Sequence, residues 1–176
     1  IKLSSKKKFD EAISLAEDYL QQVRKEQINA EEAIGIVKKM LSDTVVGEEK
    51  TDLCLTRKEA ADYLQVTIDT LRNWELNGLL RIKRKKNGYR IYTDEDVKRL
   101  KIIRSLRCAN YSLTAILRML SALSQDPKTN LKLVIDTPQD DEDIVSACDN
   151  LLTSLRIAER NMKIILEQLY EFKERF

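Results

Sequence analysis

Apolar positions recur along most of this chain at the three-to-four-residue spacing of helices. In the first forty residues Phe9, Ile13, Ala16, Leu20 and Val23 follow a 4-3-4-3 rhythm, one stripe of an amphipathic helix. Asn29 followed by Glu32 reads as a capping box, with Ile28 and Ala33 as its hydrophobic staple, and Ile34, Val37 and Leu41 supply a second buried face. The pattern predicts an N-terminal helical hairpin. Residues 42–52 are mostly polar and without period, so residues 1–50 divide into hairpin and linker.

The middle of the chain opens on a second capping box, Thr56 with Glu59, and a short helix carrying Ala60, Ala61 and Leu64. A break at Gln65-Val66 leads to Thr67, the N-cap of a helix through Asn77 with Ile68, Leu71 and Trp74 inward and Gly78 as its left-handed cap. Two short helices and a tight turn make a helix-turn-helix candidate. Ile82 to Arg84 and Tyr89 to Tyr92 then flank Lys85-Lys86-Asn87-Gly88, and Asn-Gly between β-prone residues predicts a hairpin. Thr93 and Asp96 cap a further helix with Val97, Leu100, Ile103 and Leu106 on its core face; another starts near Ser112 and buries Leu113, Ile116, Leu117, Leu120 and Leu123. Residues 53–124 thus form one winged module.

After a loop containing Pro127 and Pro138, residues 140–176 carry the most regular pattern. Ile144, Cys148, Leu151, Leu155, Ala158, Met162, Ile165, Leu169, Phe172 and Phe176 alternate spacings of four and three without a break. This is a coiled-coil seam. At 1.5 Å per residue such a helix extends about 50 Å, too far for a small domain to cover. Its stripe needs a partner, most simply the same helix of a second chain, with Ile144, Leu151, Leu155, Met162, Ile165 and Leu169 as the dimerisation residues. The N-terminal helices are the intrachain alternative. The fold expected is all-α with a small β-hairpin wing: a winged helix-turn-helix, a long C-terminal coiled-coil helix and an N-terminal helical hairpin.

Composition narrows the chemistry. The chain has 176 residues, 43% hydrophobic and 34% charged, with four Gly, two Pro and no His. Absence of His removes the commonest general base and metal ligand together. Cys54, Cys108 and Cys148 form no C-x-x-C pair and read as small hydrophobes in a reducing compartment; neither metal nor cofactor is expected. Asp140-Asp141-Glu142-Asp143 reads as the acidic start of the last helix rather than as a catalytic pair. No apolar run approaches the roughly 18 residues of a membrane span, so the chain is expected in the cytoplasm, with no membrane partner and no enzymatic activity. Ile1 in place of Met suggests a fragment or a processed chain.

Net charge is only +2, yet residues 56–107 hold 14 Lys/Arg against 7 Asp/Glu, leaving 17 basic against 22 acidic residues elsewhere. A basic module between acidic flanks suggests a polyanion. In a winged helix-turn-helix the second helix enters the major groove and the wing's cations meet adjacent phosphates. Outward on that helix stand Thr67, Asp69, Thr70, Arg72, Asn73 and Asn77. Arg72 could fork to guanine and Asn73 pair with adenine, although phosphate contact is the commoner role. Lys83, Arg84, Lys85, Lys86 and Arg90 load the hairpin, and Tyr89 can donate its hydroxyl to a phosphate. Trp74 is a weaker candidate, because a tryptophan at such a position more often packs in a core.

Residues 55–120, above all Thr70-Leu71-Arg72-Asn73-Trp74-Glu75-Leu76-Asn77-Gly78-Leu79-Leu80 and Asn87-Gly88-Tyr89-Arg90-Ile91-Tyr92, resemble the DNA-binding domain of the MerR family of bacterial transcription regulators. The resemblance implies a homodimer joined by an antiparallel coiled coil, each module on half of an inverted repeat in promoter DNA, with distortion of that DNA as the regulatory act and RNA polymerase at the promoter as a partner. Asn73-Trp74 stands where the family usually has two aromatics, and Ile82 where it usually has proline. The competing reading is a protein-interaction module in which the basic wing is incidental.

Overall fold

The computed structural model of the protein describes residues 8–43, 53–84, 88–137 and 149–175. The chain divides into two compact units, residues 1–31 with 151–176, and residues 32–150.

The first unit is a helix pair. α1 (Phe9–Asp43) is one helix of 35 residues, whose positions from 32 onward count with the second unit. The expected N-terminal hairpin is therefore corrected to an unbroken helix. Asn29 and Glu32 can cap a helix only if the chain before them leaves helical geometry, and nothing forces it to: there is no Pro between residues 9 and 43, and Gln27, Ala30, Glu31 and Ala33 are tolerant of helix or favour it. Ile28, the expected staple residue, is 57% exposed.

α7 (Leu151–Arg175) carries the C-terminal stripe. Its Leu166 and Leu169 join Ala12, Ile13, Ala16 and Leu20 of α1 in a common core, with Met162 packed against it. The helices run antiparallel, as the polar pairs along them show. Lys173 meets Asp10 at 2.6 Å, Tyr170 donates to Glu17 at 2.7 Å, Arg24 and Gln27 reach Glu159 at 3.1 and 3.2 Å, and Arg156 reaches Glu31 at 3.3 Å. In the structure the stripe is thus covered by this chain's own N-terminal helix. Of the seam residues, Leu155 and Leu169 are buried, Leu151 and Met162 half-buried, and Ile165 is 43% exposed; Ile144 lies outside the described residues. Leu152 and Leu166 take the buried places, so the buried stripe keeps the seven-residue repeat through Leu155, Met162 and Leu169 but completes it one position beyond Leu151 and Ile165.

The second unit holds α2 (Arg57–Leu64), α3 (Ile68–Leu76), α4 (Asp94–Cys108), α5 (Leu113–Gln125) and α6 (Leu131–Asp136). Leu64, Leu71, Leu79, Leu100, Ile103 and Ile116 are among its fully buried side chains. Both expected capping boxes are formed here, Thr56 with Glu59 and Thr93 with Asp96. The short α6 lies where the sequence suggested only a loop, being too brief to show a period; Asn130 caps it, and Leu131 and Ile135 bury one face. Arg118, only 6% exposed, fastens it by donating to the carbonyls of Val134 and Ile135 at 2.9 and 3.0 Å and of Asp149 at 3.1 Å.

The expected β-hairpin wing is reduced, among the described residues, to isolated antiparallel bridges, Arg84 with Arg90 and Leu55 with Tyr92. The reason is one of partners. Tyr92 exchanges both backbone hydrogen bonds with Leu55, ahead of α2, so the returning arm is shared between two neighbours and neither ladder grows. Lys85, Lys86 and Asn87, the expected tip, lie outside the described residues.

Candidate nucleic-acid interface

The turn between α2 and α3 is made by Gln65, which adopts the left-handed conformation at φ 52° and ψ 47°. This reverses the chain within three residues and lets Val66 donate to Ala61 at 3.0 Å. Thr67 then caps α3: its hydroxyl accepts from the Thr70 backbone at 3.0 Å and pairs with the Thr70 hydroxyl at 2.8 Å. A cap hydrogen bond of this kind is worth about 1 kcal/mol, so Thr67 is held to the helix start. On the outer face Asp69, Arg72, Asn73 and Leu76 are exposed, and Asn77 donates to the Asn73 side-chain oxygen at 2.8 Å, fixing that amide. Trp74 is 4% exposed and packs inward with Leu71, whereas Ile68, expected inward, is 44% exposed at the first position of α3. Gly78 closes the helix at φ 76°, a conformation that costs a residue with a Cβ roughly 1–2 kcal/mol.

The wing is tied to α3 by one carboxylate. Glu75 lies 2.8 Å from Arg90 Nε and accepts from Arg57 at 3.2 Å, all three side chains being a quarter exposed or less. Arg90, expected on a phosphate, ties wing to helix through its Nε. Lys83, Arg84 and Tyr89 stand outward, Tyr89 at 71% exposure. From α4, Arg99 donates to the Leu79 carbonyl at 2.6 Å, and burial lowers the pKa of its guanidinium. The sequence reading missed Glu75 and Arg57. Their signal was faint: two charges at helix ends, 18 residues apart, with no common period.

Exposed Arg72 and Asn73 thus share one outer face of α3, Thr70 half-buried beside them, while Lys83, Arg84 and Tyr89 stand on the attached wing; Thr67, Trp74 and Arg90 serve to build the platform. Among the described residues this surface offers cations and hydrogen-bonding side chains. Among the described residues no cluster of His, Cys, Asp or Glu is placed to hold a metal ion, and Cys54 and Cys108 are exposed free thiols.

Residues 55–123 match the sequence profile described as MerR HTH family regulatory protein. The likeness to that family's helix-turn-helix is confined to this stretch, less than half of the chain. The HTH-type transcriptional regulators ZntR of Escherichia coli strain K12 and of Escherichia coli O157:H7 are each 39% identical to this chain over 64 residues, 36% of this chain and 45% of theirs. The chain thus spans less than half the length of those relatives. Among solved structures, HiNmlR, described as a MerR family regulator lacking the sensor domain and bound to promoter DNA, is 22% identical, with a TM-score of 0.41 over 69% of this chain and 80% of its own.

Proposed function

We propose that this protein is a sequence-specific, double-stranded-DNA-binding transcription regulator. One observation carries the reading: in a stretch that matches the MerR-family profile, the outer face of α3 offers Arg72 and Asn73 beside a wing bearing Lys83, Arg84 and Tyr89, with Glu75 holding wing and helix in one rigid frame. Helix in the major groove and wing on the backbone are the two contacts such a module makes. No enzymatic step is required of it, and it works in the cytoplasm.

The finer reading is a homodimer on an inverted-repeat promoter site, distorting the DNA and so acting on RNA polymerase there. A site of that symmetry calls for two modules related by a two-fold axis. Support for a second copy comes from α7, which keeps Ile157, Ile164, Ile165 and Phe172 exposed at 43–48% although its other face is covered by α1. Selection of bound sequences from a random duplex pool tests both levels. An inverted repeat bound with a steep salt dependence is expected; recovery of no preferred sequence would remove the function, and a single half-site would remove the dimer.

A further inference from the structure

Leu71 and Trp74 are buried and set the core side of α3. At 100° per residue Leu76 lies about 140° around the helix from Leu71 and about 160° from Trp74, so it stands in the middle of the outer face. It is 75% exposed, the most exposed large hydrophobic side chain among the described residues. Exposed Arg72 stands about 40° to one side of it and exposed Asn73 about 60° to the other. The Asn73 amide is held in place, since Asn77 donates both to its side-chain oxygen and to its backbone carbonyl at 2.8 Å. A single exposed leucine needs no explanation on an ordinary surface. Among exposed Asp69, Arg72, Asn73 and Asn77, however, Leu76 is the one side chain with no hydrogen-bonding group.

We propose that Leu76 is a specificity-determining residue that reads the C5-methyl group of a thymine in the bound site. The inference rests on the DNA-binding reading above and goes beyond it by naming a base. In the major groove every base pair presents donors and acceptors, and thymine alone adds an apolar group, its methyl. A leucine laid on a purine or cytosine edge takes water from a polar group and returns no hydrogen bond, whereas against the thymine methyl it removes apolar area of both partners from water. Its neighbours suit that task. Arg72 and Asn73 flank it with N–H donors for adjacent base edges or phosphates, which fixes the helix in the groove and leaves the leucine to choose between a methyl and its absence. Asp69 shares its direction but lies seven positions earlier, about 10 Å along the axis, and meets a different part of the groove.

The test uses the full chain, the duplex it selects from a random pool, and the same duplex carrying deoxyuridine in place of each thymine in turn, which removes one methyl group and nothing else. At one thymine, or one symmetry-related pair, the parent protein is expected to lose about fourfold in affinity for each methyl removed, the equivalent of burying that one group. Leu76→Ala should bind the two duplexes alike. Cytosine at that position should weaken the parent further, and 5-methylcytosine should recover about fourfold of the loss. Leu133→Ala, which removes a leucine 61% exposed on α6, is the control and should keep the parent's response to deoxyuridine. Both leucines are too exposed to carry the fold, so the two variants should share the parent's thermal midpoint. The proposal is overturned, with the DNA-binding reading intact, if no thymine exists whose methyl the parent feels and Leu76→Ala does not. Equal loss of affinity by Leu76→Ala for the selected and for random duplexes also overturns it, since that result puts the leucine on the sugars and backbone. Failure of the parent protein to select any duplex is the separate failure of that reading.

Discussion

Two residues make the interface what it is without touching its outer face. Gln65 holds a left-handed conformation that a residue with a side chain adopts at a cost of about 1 kcal/mol, and Gly bears almost none of it. Gln65→Gly should therefore raise stability by about 1 kcal/mol, seen as a higher thermal midpoint; an unchanged or lower midpoint would mean that the Gln65 side chain contributes contacts outweighing the backbone strain. Glu75 gives a sharper contrast. Removing a carboxylate near a polyanion ought, by charge alone, to tighten binding. Glu75→Gln should instead weaken DNA binding severalfold and lower stability by about 1 kcal/mol, because Arg57 and Arg90 lose their shared negative charge and one of its two acceptor oxygens, which loosens the tie of the wing to α3. Titration of this variant at fixed salt decides between the two signs. At this scale the sequence was legible wherever a side chain acts on its own turn, as Thr56, Thr67 and Thr93 do in capping. It was not legible for Glu75, whose partners come from two other elements.

Among the elements, those with strong local signals were read from sequence: α2, α3, α4 and α5 begin at the caps named from residue types, since capping depends on residues three apart. Partners were harder to read. The stripe of α7 announces that something covers it, but a stripe has no label for its occupant, and here α1 fills the face on which the sequence pattern placed a second chain. The polar pairs along α1 and α7 fix their register, with Glu159 the busiest of them: hydrogen bonds from Lys163, Arg24 and Gln27 hold its carboxyl down to about 2, from an ordinary value of 4.5. A carboxyl with a lowered folded pKa stabilises the folded form above its unfolded pKa and loses that contribution as pH falls through the folded one. The α1–α7 pairing should accordingly weaken between about pH 4.5 and about pH 2. Hydrogen exchange of α1 amides across that range checks it, and Glu159→Gln should remove this part of the dependence; the same acid profile in Glu159→Gln would assign it to other carboxylates.

For the whole molecule the question is how one reading module per chain would meet the proposed two-fold site. Charge is arranged for the encounter, with the basic excess confined to residues 56–107 and the remainder net acidic, so that a polyanion is steered toward the winged module. The proposed dimer would have to join two modules, and the two faces of α7 differ in what covers them. Leu155, Leu166 and Leu169 are buried in the helix pair, whereas Ile157 and Ile164 lie two positions away from Leu155 and Leu166, hence about 200° around the helix, and remain exposed. Lysine at the first set and lysine at the second should therefore fail differently. Leu155→Lys places a cation in the α1–α7 core and should strip α1 from α7, with loss of helix content, since an unpaired buried charge costs several kcal/mol. Ile157→Lys with Ile164→Lys should leave the helix pair and the winged module folded, yet separate the proposed dimer at micromolar concentration and lower affinity for an inverted repeat to that of a half-site. Sedimentation beside DNA titration reads both effects. A double variant that still sediments as a dimer would place the second copy elsewhere, and exchange of α1 between chains would then be the arrangement to examine, detectable as a dimer that Leu155→Lys abolishes.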